Sequence, residues 1–178
     1  MEELWRRKMN IYILRHGETD FNLKGKFQGQ VDIPLNQIGI NQIEETAKKL
    51  SSMTFDIVFS SPLKRALQTA EIVTDTTVLV DKRLIERSFG LLEGKNSIND
   101  YEEKIEQYHI ERIIDLEKRV FSFMDELIDN YKNYSNILIV THACVARMIE
   151  SYLYHKSYEQ VDKEYKLGNG DYKKYEVK

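Results

Sequence analysis

Four consecutive apolar residues followed by an arginine and a histidine constrain this chain more than any other feature. Residues 11–14, Ile-Tyr-Ile-Leu, combine β-branched and aromatic side chains and predict a strand that is buried on both faces. Arg15 and His16 follow directly, and Gly17 comes next. Ligands of an open α/β sheet bind at the carboxyl ends of its strands. We therefore expect chemistry at this strand end; the alternative is a strand that simply ends in two polar surface residues.

The composition is that of one globular domain. The chain has 178 residues, of which 42% are hydrophobic and 31% are charged. A chain of this length can bury a hydrophobic core. The net charge of −3 argues against a general nucleic-acid or membrane surface. No apolar run approaches the roughly 20 residues of a membrane span. Because Cys144 is the only cysteine, neither an internal disulfide nor a four-cysteine metal site can form.

The N-terminal residues lack the apolar core and the cleavage site of a signal peptide. Met9 is a second candidate start, so residues 1–9 are interpreted as an N-terminal appendage on a single domain that spans residues 1–178. We expect a cytoplasmic protein, a monomer or a homodimer, that binds neither nucleic acid nor membrane.

Strand-like and helix-like segments alternate along the rest of the chain. Asn36 is an N-cap residue before apolar residues at helical spacing, and Ser61 followed by Pro62 predicts the start of another helix. Residues 20–30 predict a loop, and the charged stretch 97–131 predicts helix with an apolar stripe in its second half. Further strands are predicted at residues 55–59, 76–80, 136–140 and 172–177. This order predicts a three-layer α/β/α sandwich with a mostly parallel sheet.

Three of the predicted strands end beside residues that bind anions. The first runs into Arg15 and His16, and the strand at residues 136–140 runs towards His142. The strand at residues 55–59 precedes a helix that carries Arg65 in its first turn. If these strands are parallel, the four side chains meet at one edge of the sheet. Two arginines and two histidines around a helix N-terminus suit a dianionic phosphate.

These four residues lie within longer segments that together resemble the histidine phosphatase superfamily, in its phosphoglycerate mutase-like branch. The resemblance extends from about residue 10 to residue 177, with the motifs in the family's order, and implies a phosphoglycerate mutase-like fold. The matching segments are residues 15–19 with Asn22, residues 28–29, residues 32–35 with Gly39, residues 60–70, residues 84–86 with Gly90 and residues 93–94, and residues 140–142 with Arg147.

The resemblance implies a role for each matching residue. His16 would be the nucleophile that attacks phosphorus to give a phosphohistidine, with a neighbouring group holding its other ring nitrogen. Arg15, Arg65 and His142 would hold the phosphoryl oxygens. Glu86 would protonate the leaving oxygen and then accept a proton from water. No metal and no cofactor are implied. The residues expected to contact substrate are Arg15, Asn22, Gln28, Gly29, Arg65, Glu86, His142 and Ala143.

Each of these residues also has a structural interpretation. Arg65 alone would read as a solvated helix residue, and Glu86 as a surface carboxylate in a loop. Asn22 could stabilise a turn without touching substrate. Glu93 is expected to tie down a loop beside the site. For Cys144 we favour a small buried hydrophobe over a reactive thiol.

Two departures from the family pattern bear on activity. The residue after the second histidine is Ala143 where the family usually has glycine, which is tolerated unless the backbone there needs a positive φ. The second departure is a reduced helical lid at about residues 95–115, with residues 110–112 reading Ile-Glu-Arg where family members commonly have Gly-Glu-Ser. A short lid leaves the phosphohistidine open to water and so favours hydrolysis over transfer back to a substrate.

The sequence thus predicts a histidine phosphatase that hydrolyses phosphomonoesters without a metal. The expected partner is a small phosphorylated metabolite, either similar to α-ribazole phosphate or one of several accepted by a broad-specificity enzyme. The alternatives are a phosphotransferase of the phosphoglycerate mutase type and a non-catalytic module that binds phosphorylated ligands. The last would have no need of a leaving-group acid such as Glu86.

Overall fold

A central sheet organises the molecule, which a computed structural model describes for residues 8–177. Its strands within those residues are β1 (Met9–Arg15), β2 (Ile57–Ser60), β3 (Val78–Val80), β4 (Asn136–Thr141) and β5 (Tyr172–Val177). Their order across the sheet is β3-β2-β4-β1-β5. All neighbouring strands are parallel except β1 and β5, which are antiparallel. The predicted α/β fold with a mostly parallel sheet is therefore confirmed.

Helices connect the strands and cover both faces of the sheet. Ile11 and Ile13 of β1 face one side, and Tyr12 and Leu14 face the other. None of these four side chains is more than 4% exposed, as expected for a parallel strand between two helical layers. The helices of the described residues are α1 (Asp20–Leu23), α2 (Gln37–Leu50), α3 (Lys64–Val73), α4 (Ile105–Tyr108), α5 (Ile113–Asn130), α6 (Ala143–Tyr154) and α7 (Tyr158–Glu164).

Two predicted features near the site are wrong in detail. Residues 20–30 are not all loop, because Thr19 caps the short helix α1 through a reciprocal pair of hydrogen bonds with Asn22. Ser61 is not a helix N-cap: α3 begins at Lys64, and Leu63 occupies the cap position without a side-chain hydrogen bond. The Ser61 hydroxyl is turned towards β4 and contacts His142 instead.

Residues 97–131 do not form one helix. A 3₁₀ turn (Tyr101–Lys104) leads into α4, and α5 begins only at Ile113. Between them His109 has a φ of +54°, a left-handed conformation that ends α4. The segment predicted as a reduced lid therefore consists of two short helical turns and a loop packed against residues 88–93.

The appendage predicted at residues 1–9 falls largely outside the described residues. Its last member contradicts the prediction, because Met9 opens β1, pairs with Val177 of β5 and is 3% exposed. The sheet therefore starts inside the range assigned to the appendage. Within residues 8–177 no helix is long and apolar enough to cross a membrane.

Candidate active site

The two histidines of the site are brought together by the pairing of β1 with β4. Arg15 lies opposite Thr141 in this parallel pair, so His16 and His142 each follow the last paired residue of their strand. The two imidazole ring centroids are 5.1 Å apart. Both side chains are almost fully buried, at 2% and 0% exposure. The predicted convergence at one edge of the sheet is thus observed.

The hydrogen bonds of His16 define which ring nitrogen carries its hydrogen. Nδ1 lies 2.7 Å from the backbone carbonyl oxygen of Gly17, which can only accept a hydrogen bond. Nε2 lies 3.3 Å from Nε of Arg65, which can only donate one. The ring is therefore protonated on Nδ1 and has its lone pair on Nε2. Burial, followed by the charge of Arg65, lowers the pKa of His16 well below 6.5, so the ring is neutral at physiological pH.

Position 17 needs glycine, because the surrounding structure has no room for a side chain there. A Cβ at this position would lie 2.5 Å from the backbone oxygen of Gly39 in α2. The backbone after His16 therefore packs directly against the start of α2, and this fixes the carbonyl that accepts from Nδ1.

Arg65 is a fully buried arginine, not the solvated helix residue of the alternative interpretation. Its Nη1 donates to the backbone oxygen of Val31 at 2.8 Å, and its Nη2 donates to that of Gly29 at 2.8 Å. Burial lowers the pKa of Arg65 to about 10, partly opposed by the charge of Glu86. The guanidinium therefore stays charged at neutral pH while its Nε faces His16.

Arg15 is the last residue of β1 and directly precedes His16. Its Nη1 donates to the backbone oxygen of Leu167 at 2.9 Å, and its buried Nε has no hydrogen-bond partner within the described residues. Burial lowers the pKa of Arg15, and the carboxylate of Glu86 opposes this effect. A charged group with an unused donor suits an anionic ligand.

His142 occupies the N-cap position of α6. Its Nε2 lies 2.7 Å from the Ser61 hydroxyl oxygen, and its buried Nδ1 has no partner among the residues the structure describes. Burial, followed by the charge of Arg65, lowers the pKa of His142 well below 6.5. The next residue, Ala143, begins α6 in ordinary helical conformation, so the glycine of the family pattern is not required here.

Glu86 is a buried carboxylate, exposed by only 7%. Its Oε1 accepts from the backbone amide of Arg87 at 2.9 Å, and its Oε2 accepts from that of Cys144 at 3.4 Å. The second contact places the carboxylate at the first turn of α6, next to His142. The interpretation of Glu86 as a surface carboxylate is thus wrong.

Two ion pairs that the sequence did not predict support the segment carrying Glu86. Arg119 of α5 donates to the backbone oxygens of Arg83 at 2.6 Å, Ile85 at 2.7 Å and Glu86 at 3.2 Å. The Glu111 carboxylate accepts from Nε of Arg119 at 2.7 Å and from its Nη2 at 3.0 Å. One guanidinium therefore joins the lid to the three carbonyls around the candidate acid.

Arg87 makes the second of these links. Its side chain is 1% exposed and donates from Nε to the backbone oxygen of Glu111 at 2.8 Å. It also forms a bidentate ion pair with Glu102 in the 3₁₀ turn of the lid. Sequence reasoning missed Arg87 because a charged residue is normally expected at the solvent-exposed surface. Its burial is seen only in the structure.

Three other predicted substrate residues lie in the segment between β1 and α2, which includes the short helix α1. Asn22 uses its Oδ1 to accept from the Thr19 backbone amide at 3.2 Å, and its own backbone amide donates to the Thr19 hydroxyl oxygen at 3.3 Å. Gln28 accepts from the same hydroxyl at 2.8 Å, and the Gly29 carbonyl accepts from Arg65. Asn22 thus has the turn-stabilising role of the alternative interpretation, which leaves its Nδ2 group as a donor.

Asn169, which the sequence analysis did not single out, links this segment to His16. Its Nδ2 donates to the backbone oxygen of His16 at 3.1 Å and to Oδ1 of Asn22 at 3.2 Å. The amide of Gly170 also donates to the His16 oxygen at 3.1 Å. The turn before β5 therefore orders the backbone around His16.

Two structural predictions agree with the geometry. Oε1 of Glu93 accepts from the backbone amides of Gln30 and Phe89, both at 3.0 Å, and so ties two loops together. Cys144 is buried, and burial raises the pKa of its thiol to about 12, so it behaves as a packing residue. Among the described residues no group of three or more His, Cys, Asp or Glu side chains is arranged to hold a metal ion.

One cavity is separate from this site. It has a volume of about 460 Å³ and borders the lid and the first turn of α5. None of the groups around His16 lines it, so we assign it no part in phosphate binding. Its lining residues are Ser88, Ile105, Glu106, His109, Ile110, Glu111, Arg112 and Asp115.

Comparisons with known proteins agree with the fold. A family model for the histidine phosphatase superfamily (branch 1) matches residues 11–178. The uncharacterized phosphatase PhoE of Bacillus subtilis is 35% identical over 141 residues, which cover 74% of this chain and 70% of that protein.

Solved structures give the same result. The α-ribazole phosphatase of Shigella flexneri has a TM-score of 0.83 at 27% identity, over 93% of this chain and 89% of that one. A phosphoserine phosphatase of Entamoeba histolytica in complex with 3-phosphoglyceric acid has a TM-score of 0.79 at 28% identity, also over 93% of this chain and 89% of that one.

Proposed function

The chain belongs to branch 1 of the histidine phosphatase superfamily, and we propose that it hydrolyses phosphomonoesters of small metabolites through a phosphohistidine at His16. The observation that carries the proposal is the state of the His16 ring. A hydrogen fixed on Nδ1 and a lone pair on Nε2 make a neutral imidazole that is ready to attack phosphorus.

In the first step Nε2 of His16 forms a bond to phosphorus while the bond from phosphorus to the ester oxygen breaks. Glu86, in its protonated form, gives its proton to the leaving oxygen and releases a neutral alcohol. The carboxylate lies at the first turn of α6, beside the second histidine, which supports its assignment to the leaving-group side of the site.

In the second step a water molecule attacks the phosphohistidine. The Glu86 carboxylate accepts a proton from this water, the bond between nitrogen and phosphorus breaks, and inorganic phosphate leaves. The electron pair of the broken bond returns to Nε2, so His16 is restored as a neutral imidazole. In this proposal the short lid favours hydrolysis over transfer to a second substrate, because a smaller cover would leave the intermediate open to water.

Three cationic or donor groups surround the position of the phosphoryl oxygens in this scheme. Arg15 and Arg65 are charged, Arg65 is fully buried, Arg15 has a buried Nε, and His142 offers a ring nitrogen. Preorganised donors of this kind stabilise the charge that spreads over the oxygens in the transition state. We therefore propose that catalysis needs no metal ion.

The proposed substrate is a small phosphorylated metabolite. Relatives that resemble the whole chain act on α-ribazole phosphate in one case and on phosphoserine in another, as their names state. We place the substrate of this chain among such compounds, with broad specificity as the second form of the same proposal. The cytoplasmic location and the monomeric or homodimeric state stay predictions.

The test is hydrolysis of p-nitrophenyl phosphate in EDTA, together with rapid-quench trapping of labelled enzyme. We expect phosphate release and an acid-labile, base-stable label in the wild-type protein. Both should be absent from His16→Ala and present in the control His155→Asn, which changes an exposed histidine. Wild-type activity in His16→Ala would refute the mechanism, and dependence on a divalent metal would refute metal independence.

A second assay separates the phosphotransferase alternative. If the enzyme is a hydrolase, incubation with 3-phosphoglycerate and a catalytic amount of the bisphosphate gives free phosphate and no 2-phosphoglycerate. Isomerisation faster than phosphate release would show a mutase.

A further inference from the structure

Ser61 is a buried residue that contacts the site and has no role in the steps above. It lies just after β2, and its hydroxyl oxygen is 2.7 Å from Nε2 of His142. Both residues are fully buried. The direction of this hydrogen bond decides which nitrogen of His142 carries a hydrogen.

The surroundings of Ser61 indicate that its hydroxyl donates. The backbone amide of Leu63 lies 3.4 Å from the hydroxyl oxygen and can only donate to it. The hydroxyl hydrogen then needs an acceptor, and Nε2 of His142 is the one within hydrogen-bond distance among the described residues. If the ring donated instead, the serine hydrogen would be buried without a partner, which native structures avoid.

A neutral imidazole has one ring hydrogen. If Nε2 accepts from Ser61, that hydrogen is on Nδ1, the nitrogen that is buried without a partner within residues 8–177. The two imidazole ring centroids lie 5.1 Å apart, so the ring that carries this nitrogen borders His16. The opposite tautomer would present a lone pair to the phosphoryl oxygens and repel them.

We propose that Ser61 is a positioning residue that holds His142 in the Nδ1-protonated form, so that Nδ1 donates to a phosphoryl oxygen. The identity of the acceptor rests on the function proposed above. Ser61 thus acts on the second histidine as the Gly17 carbonyl acts on the first: each neighbour sets the tautomer, one by donating and one by accepting.

Nitrogen NMR of protein labelled with ¹⁵N-histidine tests the tautomer in the wild-type enzyme. We expect the His142 hydrogen on Nδ1 near neutral pH and a shift of its resonance when inorganic phosphate is added. A hydrogen on Nε2, hydrogens on both nitrogens, or no response to bound phosphate would overturn the proposal. This spectrum is independent of the His16→Ala assay, so a failure of the proposed function is recognised separately.

The variant Ser61→Ala tests the consequence for catalysis, with Ser60→Ala as the matched control. Ser60 is equally buried and donates to the Ser61 backbone oxygen at 3.0 Å, away from the histidine ring. We expect Ser61→Ala to remove the preference for the Nδ1-protonated form, so that both tautomers of His142 are populated, and to lower kcat about 10- to 100-fold, as for loss of one transition-state donor. Equal kcat and equal tautomer in the two variants would overturn the proposal. If Ser61→Ala does not fold, the wild-type spectrum decides alone.

Discussion

The phosphate end and the leaving-group end of the candidate site are built in different ways. At the phosphate end, His16 and His142 follow two paired parallel strands, and the register of those strands sets their separation. At the leaving-group end, Glu86 lies outside any strand, between two short 3₁₀ turns at Lys82–Leu84 and Gly90–Leu92. Two arginines, the buried Arg87 and the partly exposed Arg119, hold this segment in place of strand pairing.

This difference teaches where each half of the site is sensitive. Strand register is set by many backbone hydrogen bonds, so no single support residue should displace the histidines. The position of Glu86 depends on a few charge-assisted bonds to Arg119 and Arg87, which are strong but few. Substitutions at the phosphate end should therefore lower kcat equally for substrates with good and with poor leaving groups. Substitutions at the leaving-group end should lower kcat mainly for substrates with a poor leaving group.

The largest expected effect is at the phosphate end, from Arg65→Lys. Lysine keeps the positive charge but loses the fork that reaches Gly29, Val31 and His16. We expect kcat to fall about 100- to 1,000-fold. The loss should be equal for p-nitrophenyl phosphate and for an alkyl phosphate, because the phosphoryl group is the same in both.

Lys64→Arg is the control, since it makes the reverse exchange at the exposed neighbouring position. Steady-state kinetics on both substrates provide the measurement. A loss confined to the alkyl phosphate would contradict the assignment of Arg65 to the phosphate end.

The next largest effect is expected from Arg119→Met at the leaving-group end. Removing this guanidinium frees the backbone at Arg83, Ile85 and Glu86, so the candidate acid loses its position. We expect kcat for the alkyl phosphate to fall about 10- to 100-fold, because its poor leaving group needs protonation. For p-nitrophenyl phosphate, whose leaving group is good, the change should stay within about threefold.

Arg112→Met is the matched control, since this arginine also forms an ion pair with a carboxylate but is exposed. The ratio of the two kcat values is the readout. An equal loss on both substrates would show that Arg119 supports the fold as a whole and not Glu86 in particular.

The sequence predicted the two ends unequally, for the same physical reason. The strand at residues 11–14 is a visible apolar run, and a parallel arrangement then places His16 beside His142. Residues 81–96 show no helical or strand-like hydrophobic periodicity. Only the resemblance to the histidine phosphatase superfamily therefore identified Glu86. Val120 belongs to the apolar stripe of α5, and Arg119 precedes it in the chain. From the sequence alone, a charged residue at this position is interpreted as part of the solvent-exposed face of the helix.

Two further features could not be read locally. Asn169 and His16 are 153 residues apart, and their hydrogen bond exists only because β5 pairs with β1. Ser61 has the sequence context of an N-cap, yet its hydroxyl contacts a residue of the neighbouring strand end. Local propensity correctly indicates that Asn169 and Ser61 suit turns and helix starts, but their roles depend on tertiary contacts.

The buried histidines of the phosphate end predict how stability depends on pH. His16 and His142 have pKa values held well below 6.5 in the folded protein by burial, then by the charge of Arg65. In the unfolded chain both return to ordinary values and bind protons first as the pH falls. Stability conferred by the neutral rings is therefore present above about pH 6.5 and is lost below it, by about 1 kcal/mol for each histidine at one unit lower.

Urea unfolding at pH 7.5 and pH 5.5 measures this effect. His142→Asn should reduce the difference between the two free energies of unfolding, whereas His155→Asn, at an exposed position, should leave it unchanged. A difference that is the same in all three proteins would show that other groups cause the acid destabilisation.

The smallest effect is expected from Glu102→Gln, which removes the ion-pair partner of Arg87 in the lid. Glu102 is half exposed, so the loss of stability should be no more than about 1 kcal/mol. The lid should nevertheless open more often, because α4 and the preceding 3₁₀ turn lose a contact to the body of the protein. Hydrogen exchange at residues 101–108 should therefore become faster while exchange in β1 and β4 stays the same. Glu103→Gln, at the exposed neighbouring position, is the control; if it accelerates exchange equally, loss of lid charge is the cause and the pair with Arg87 is not.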